Sequence, residues 1–401
     1  MERTNQIFML VICLLLALTA CTKKDNLTGD NFSDVRPQSF FYQGFDLGFS
    51  FGDSIQVKGN EKVLLCGHSG AVEAVTVLHF NSLPKNFVIP ESKSYQDSTW
   101  IQLSIIRKNA SLRNSTVLQL YSLEQHWLED AAHELDLNAM TPIGETFTVP
   151  DSIGLQGTVV KVPIPVEFLN QLSAAQKDSL SIGIKAVDDD TWCEMDSRST
   201  GKGPRLAFKY QKPETKQMLS FDMLAARDSY IVNGPQSTIQ ADRWVINNLH
   251  PSRMYVHWLD DWSLFKDMDG NTLDEVSRKR VTINKAELIF HLKENPYYKA
   301  GVSYSLRPIW VEKDSIEIAM QLSGSDLGSA ALPTTGFVRG DSMVVDITPF
   351  MQGYTNGKKP NKGIVIKSEH EMQSFGYMEF YHFTAASKKP KLRVVYTVPW
   401  L

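Results

Sequence analysis

The feature that most restricts how this chain can fold is that it is written twice. Ile182-Gly183-Ile184-Lys185-Ala186 returns as Ile364-Val365-Ile366-Lys367-Ser368, and Cys193-Glu194-Met195 returns as Met378-Glu379-Phe380. Gly203-Pro204-Arg205-Leu206-Ala207-Phe208-Lys209-Tyr210 returns as Lys389-Pro390-Lys391-Leu392-Arg393-Val394-Val395-Tyr396. Earlier in each half, Val77-Leu78-His79-Phe80 is echoed by Tyr255-Val256-His257-Trp258, and Phe45-Asp46-Leu47 by Phe221-Asp222-Met223. The offset drifts along the chain, as it does when loops change length while the order of elements holds. Pairs repeated in one order indicate a duplicated unit.

Each copy is a series of short runs rich in Val, Ile, Tyr and Phe, separated by Gly, Pro and Asn, which is the pattern of strands joined by turns. Helical period is scarce. Val166 to Gln176 is the best short helix, and Leu123 to Leu137 offers one or two turns. Strand after strand with turn residues between means a sandwich or a barrel. The chain is therefore expected to be all-β: two tandem jelly-roll-like β-sandwich domains, 40–212 and 221–401, joined by a polar linker at 213–220.

The first residues read as an address. Residues 1–20 form a signal peptide: Arg3 in a short polar head, then an apolar run from Ile7 to Leu18, too short to span a bilayer. It ends Leu18-Thr19-Ala20-Cys21, which resembles the lipobox of bacterial lipoproteins and implies lipid on Cys21. Several acyl chains on one residue make a stable anchor. A polar tether follows at 21–39. Its charged start resembles the export signal of Bacteroidota surface lipoproteins. The expected place is the outer membrane, lipid-anchored, at the cell surface. The 401 residues carry 41 basic and 45 acidic side chains. That balance lacks the basic excess of a nucleic-acid binder.

Cys13 leaves with the signal and Cys21 takes lipid. Cys66 and Cys193 remain, in an oxidising compartment. A disulfide between them would close a loop of about 127 residues, worth roughly 4–5 kcal/mol in the chain-entropy model. Two separate buried thiols are the other reading. In the second half the matching places hold apolar residues, near Trp244 to Ile246 and at Met378, so both cysteines are expected to face a core.

The run Val344-Val345-Asp346-Ile347-Thr348-Pro349-Phe350, then Lys362-Gly363-Ile364-Val365-Ile366, Glu379-Phe380 and Lys389 to Tyr396 resembles the close of DNRLRE domains, also called disaggregatase-related repeats. Val77 to Phe80 and Val256-His257-Trp258 resemble an earlier apolar run of that family. Val162-Pro163 stands where the first copy would need its Asp-Ile-Thr, and Gln125 to Asp130 is a partial echo of the family's Trp-rich stretch. The resemblance covers about half of each unit. It implies a β-sandwich related to carbohydrate-binding modules and transfers no ligand-contacting residue.

Several motifs carry chemistry of their own. Cys66-Gly67-His68-Ser69-Gly70-Ala71 after an apolar strand is similar to a nucleophile elbow, with Ser69 as an esterase nucleophile; Ala71 replaces the last glycine, and the next residues read as strand. His79 and His257 occupy matched strand positions, with Glu194 and Glu379 the matched acids. Asp267, Asp269 and Asn271 offer oxygens to calcium, although the EF-hand register fails. Asp188-Asp189-Asp190 reads as a solvated turn. Asp-Ser pairs at Ser54, Ser98, Ser152, Ser179, Ser315 and Ser342 resemble O-glycosylation acceptors of Bacteroidota envelope proteins, and equally suit turns that open strands. His257, Trp258, Asp260, Asp261 and Trp262 form the best ligand platform: indoles stack on sugar faces while carboxylates accept hydroxyl protons. In an unbroken strand Trp258 and Trp262 would share a face; the alternative is that both are core.

The expected role is non-catalytic and needs no cofactor: glycan or matrix binding by an anchored envelope protein, with polysaccharide or other surface proteins as partners. A structural subunit of a surface assembly comes second, and an esterase through Ser69 third.

Overall fold

The computed structural model of the chain describes residues 36–399 apart from 53–58, 60, 70–71, 109–114, 190, 235–241, 294–304, 312–335 and 340. Cys21, the signal peptide, most of the tether, Ser54, Asp190 and Ser315 lie outside the described residues. The described residues build an all-β fold of antiparallel ladders.

The first strands are β1 (Gln38–Tyr42) and β2 (Phe45–Gly52). Then come β3 (Val63–Ser69), β4 (Val72–Phe80), β5 (Trp100–Lys108), β6 (Val117–Leu123) and β7 (Thr141–Thr148). β8 (Thr158–Pro163), β9 (Leu180–Ala186), β10 (Trp192–Asp196) and β11 (Arg205–Gln211) follow. The pair β12 (Met218–Leu224) and β13 (Arg227–Asn233) leads to β14 (Trp244–Asn247), β15 (Ser252–Trp258), β16 (Thr282–His291) and β17 (Leu306–Trp310). The last strands are β18 (Gly336–Arg339), β19 (Ser342–Asp346), β20 (Ile364–Ser368), β21 (Tyr377–Phe380) and β22 (Lys391–Thr397). The helices used below are α1 (Val166–Ala174), α2 (Glu275–Lys279) and α3 (Thr348–Thr355).

The ladders repeat. The first sheet runs β12-β11-β5-β10-β3-β4-β9-β6-β7, with β8 on β5 and β13 on β4. The second runs β1-β22-β16-β19-β18-β17-β20-β15-β14-β21, with β2 on β15. Leu292, just past β16, bridges to Phe380 of β21, so the second sheet curls back towards its own end. The registers match as well. Cys66 lies opposite Cys193, and Ile246 opposite Met378. Thr76 lies opposite Ile184, and Met254 opposite Ile366. Side chains alternate as a half-buried strand requires: in β22, Leu392, Val394 and Tyr396 face the core while Arg393 stays out.

The expected boundaries, 40–212 and 221–401, do not follow the sheets. β1 and β2, from the start of the chain, pair with β22 and β15 of the second sheet. β12 and β13, placed by the sequence in the second unit, pair with β11 and β4 of the first. These are equivalent places. Phe221 lies opposite Phe208, and Phe40 lies opposite Val394, the residue that matches Phe208. The structural counterpart of Phe221 is therefore Phe40 and not Phe45. The linker stretch 213–220 is partly the start of β12.

Each sheet curls around its own core. The outer face of β4 and β13 is covered by the 123–137 segment, where Trp127, Leu135 and Leu137 pack on Val75, Val77 and Ile231. The two sandwiches also share a core. Leu249, Met372 and Phe375, from the second half of the chain, are buried among the side chains of the first. α3 was not foreseen. Asp346 Oδ1 accepts from the Thr348 amide at 2.8 Å and from its hydroxyl at 2.7 Å, and Pro349 stands where a helix start tolerates it.

Candidate functional site

The expected platform sits where β15 ends. β15 stops at Trp258, and residues 262–264 form a single tight turn, so Trp258 and Trp262 do not stand on one strand face. Trp258 is 4% exposed and belongs to the second core. Trp262 is part-exposed. The Arg278 guanidinium of α2 lies 3.6 Å from its ring centroid, and the Tyr354 ring of α3 stacks on it at 4.5 Å. Its indole is therefore already engaged by its own chain, and a sugar can reach its rim but not a free face.

The polar members of the platform gather around Tyr42. His257 Nδ1 lies 2.6 Å from Asp46 Oδ1, which pins β2 to β15. The Tyr42 hydroxyl donates to the Leu259 carbonyl at 3.0 Å. Asn361 donates from Nδ2 to the Trp258 carbonyl at 2.7 Å and to Asp260 Oδ1 at 2.9 Å. Asp261 caps the turn, accepting from the Ser263 amide at 3.1 Å and its hydroxyl at 2.5 Å. Burial, and then the carboxylates of Asp261, Asp46 and Asp260, push the Tyr42 phenol above its ordinary range. Burial and the neighbouring Asp260 do the same to Tyr354. Between Tyr42, Asp261, Trp262 and Tyr354 is a notch of about 20 Å³. That is room for a single water or hydroxyl.

The first sandwich carries an open groove of about 560 Å³ beside α1, lined by Asn86, Val88, Asn170, Gln176 and Glu214 among others. Its floor is fixed by side chains that imitate a strand. Asn170 donates to the Ile89 carbonyl at 2.9 Å and accepts from its amide at 2.8 Å, and Ser173 does the same for Phe87 at 2.7 and 2.9 Å. Sequence reasoning did not find this groove; the polar face of the expected 166–176 helix was the available signal.

The other candidates take simpler places. β3 ends at Ser69, which lies opposite Val72 of β4, so the next described element is an antiparallel strand. An elbow leads from strand into helix, and that shape is not formed around Ser69. His68 faces Glu73 across the hairpin at 3.9 Å. His79 shares a hydrogen bond with Ser181 at 2.9 Å. Glu194 is held by Arg107 at 2.6 Å, and Glu379 by Arg243 and Lys293 at 2.5 and 2.6 Å. Neither matched acid is set against its matched histidine in these bonds.

The loop with the calcium candidates closes on itself. Asp267 accepts from the amides of Asp269 and Asn271 at 2.9 and 2.8 Å, and from the Asn271 side chain at 3.1 Å. Those donors hold the Asp267 carboxyl below the usual range. Among the described residues no group of three or more His, Cys, Asp or Glu is gathered as a metal site.

No protein-family model matches the chain, and no curated protein does. Among solved structures, a cryo-EM structure of the T=1 Penaeus vannamei nodavirus aligns over 91% of this chain and 98% of that one. The identity is 9% and the TM-score 0.10, a likeness that carries no argument. The resemblance to DNRLRE domains thus rests on the motifs quoted above. Among the described residues, no helix is long and apolar enough to cross a membrane.

Proposed function

We propose that this is a non-catalytic envelope protein, held at the outer membrane by lipid on Cys21, that binds glycan or matrix at the Tyr42–Trp262 crest of its second sandwich. The observation that carries the reading is that Tyr42 and Asp261 line one notch with Trp262, while Asn361 holds Asp260 next to the Trp258 carbonyl. Carboxylates accept sugar hydroxyls, and an aromatic rim packs on C–H faces. A notch sized for one hydroxyl supplies register. The DNRLRE-like motifs and the lipobox favour the same class of protein.

The test is a glycan array probed with the protein lacking its first 35 residues. Saturable binding should weaken by about tenfold, equivalent to about 1.4 kcal/mol, in the pair Tyr42→Phe with Asp260→Asn. Binding that ignores both substitutions, or no saturable binding, would sink the reading. A second reading, a structural subunit of a surface assembly, is favoured by the edge strands. β1 and β12 end their sheets with Phe41 61% and Met218 58% exposed. Co-purification of a stoichiometric partner without glycan binding would select it.

A further inference from the structure

Cys66 and Cys193 lie directly opposite one another on β3 and β10, and both are fully buried in one core. Residues opposed across an antiparallel pair have Cα atoms about 4.5–5.5 Å apart, inside the roughly 4.4–6.8 Å that a disulfide spans. In the structure both cysteines are free thiols, and the Cys66 thiol donates to the Ile184 carbonyl at 3.3 Å. The second sandwich provides an internal comparison, because the same register there holds Ile246 opposite Met378. The position has no need of sulfur, yet in the first sandwich both members of the pair are cysteine together.

The location gives the pair a use. β10 lies between β3 and β5 and seats the second sandwich. Its Trp192 stacks on Phe375, and Glu194 Oε1 accepts from the Phe375 amide at 3.1 Å. Cys193 stands between those two contacts. We infer that Cys66 and Cys193 close into a disulfide that fixes β10 to β3 and so stiffens the joint between the sandwiches. A thiolate of one cysteine attacks a small-molecule or protein disulfide, releasing a thiol and leaving a mixed disulfide. The second cysteine, losing its proton, displaces the other thiol. The protein loses two electrons and two protons, and the oxidant disulfide becomes two thiols. Because neither sulfur is exposed in the finished fold, the exchange takes place before β10 settles, and the closed bond is then shielded from reductant.

That the bond forms in the cell rests on the export proposed above, and the test separates the two. The full chain carrying Cys13→Ser and Cys21→Ser is unfolded, reduced, and refolded with glutathione disulfide. The expected product has no free thiol after denaturation and yields one cross-linked peptide joining Cys66 to Cys193. It melts about 10 °C above the reduced form, and its 369–376 segment resists protease longer. A Cys66→Ile, Cys193→Met variant, copying the second sandwich, should melt the same with or without oxidant. Two titratable thiols after oxidative refolding, or a bond that alters neither melting nor proteolysis, overturns the inference. A refolded sample that oxidises beside a cell-derived one with both thiols free counts against export and leaves the pairing standing.

Discussion

Trp192 of the first sandwich lies flat on Phe375 of the second, with ring centroids 5.0 Å apart and planes 13° from parallel. The contact lies beside two buried polar ones. The Phe375 amide meets the buried Glu194, and the Tyr230 hydroxyl donates to the Met372 carbonyl. Phe375→Ala should cost about 3–5 kcal/mol, as for other buried aromatics. A double-mutant cycle with Trp192→Ala should return a coupling of about 0.5–1.5 kcal/mol. Urea denaturation of the four proteins measures both, and a coupling near zero would mean the stack does not stabilise the joint.

Gly67 has φ +134°, and a Cβ added there would lie 2.3 Å from the Thr191 carbonyl oxygen. The obstacle is backbone, so it cannot rotate away. Gly67→Ala should destabilise by about 1–3 kcal/mol or more, read as a fall in the melting midpoint. A variant as stable as the parent would show that this part of β3 relaxes.

Asp228 is 2% exposed. Burial pushes its carboxyl up from 3.8 to about 6, against the Arg198 amide and guanidinium that pull it down. A raised carboxyl favours the folded state when neutral. Its contribution is complete below the unfolded value of 3.8 and is lost as pH rises through about 6. The full difference is about 3 kcal/mol. Relative to Asp228→Asn, the parent should gain about 1.4 kcal/mol on going from about pH 7.5 to about pH 5. Urea midpoints at the two pH values check this; a parent that loses ground to the variant on acidification contradicts the sign.

Arg253 is fully buried, and its guanidinium meets the Glu371 carboxylate at 2.8 and 2.9 Å. Removing one member strands the other charge. Glu371→Ala should therefore cost about 3–5 kcal/mol, while replacing both residues with apolar ones of similar volume should cost far less. Equal losses for the single and double changes would refute that account.

The duplication was legible because strands with one buried face keep their register. A slip by one residue would turn every core side chain outward, so Cys66 and Ile246, or Cys193 and Met378, could be matched by eye. The exchange of strand pairs was not legible. Phe45-Asp46-Leu47 and Phe221-Asp222-Met223 read alike, but strand pattern alone does not say which sheet a strand joins. Helix α3 was hidden because Thr348-Pro349-Phe350 continues a strand-like run, and only the Asp346–Thr348 hydrogen bonds mark the change. At the crest, the acidic residues were found, but the two tryptophans could not be sorted. Whether an aromatic after a strand faces core or solvent depends on where that strand stops, and β15 stops at Trp258.

A chain begun at residue 61 lacks β1 and β2 and leaves β15 and β22 each short of a neighbour. Such a chain should lose the cooperative melting of its second sandwich, while a synthetic 38–52 peptide added in trans should restore it in proportion to its concentration. Unchanged melting without the peptide would mean the two strands are ornamental.

The reach of those two strands sets the order in which the molecule can be completed. Phe49 and Phe51 rest on Tyr255 and Val365. A ribosome therefore makes them long before it makes the surface that covers them. Until the last strands emerge, the nascent chain must carry a sticky aromatic ribbon with nowhere to lie, a burden typical of folds dominated by distant contacts. Once laid down, the ribbon ties the polypeptide's opening residues to its closing half, so cutting the stretch between the sandwiches would not by itself release either one.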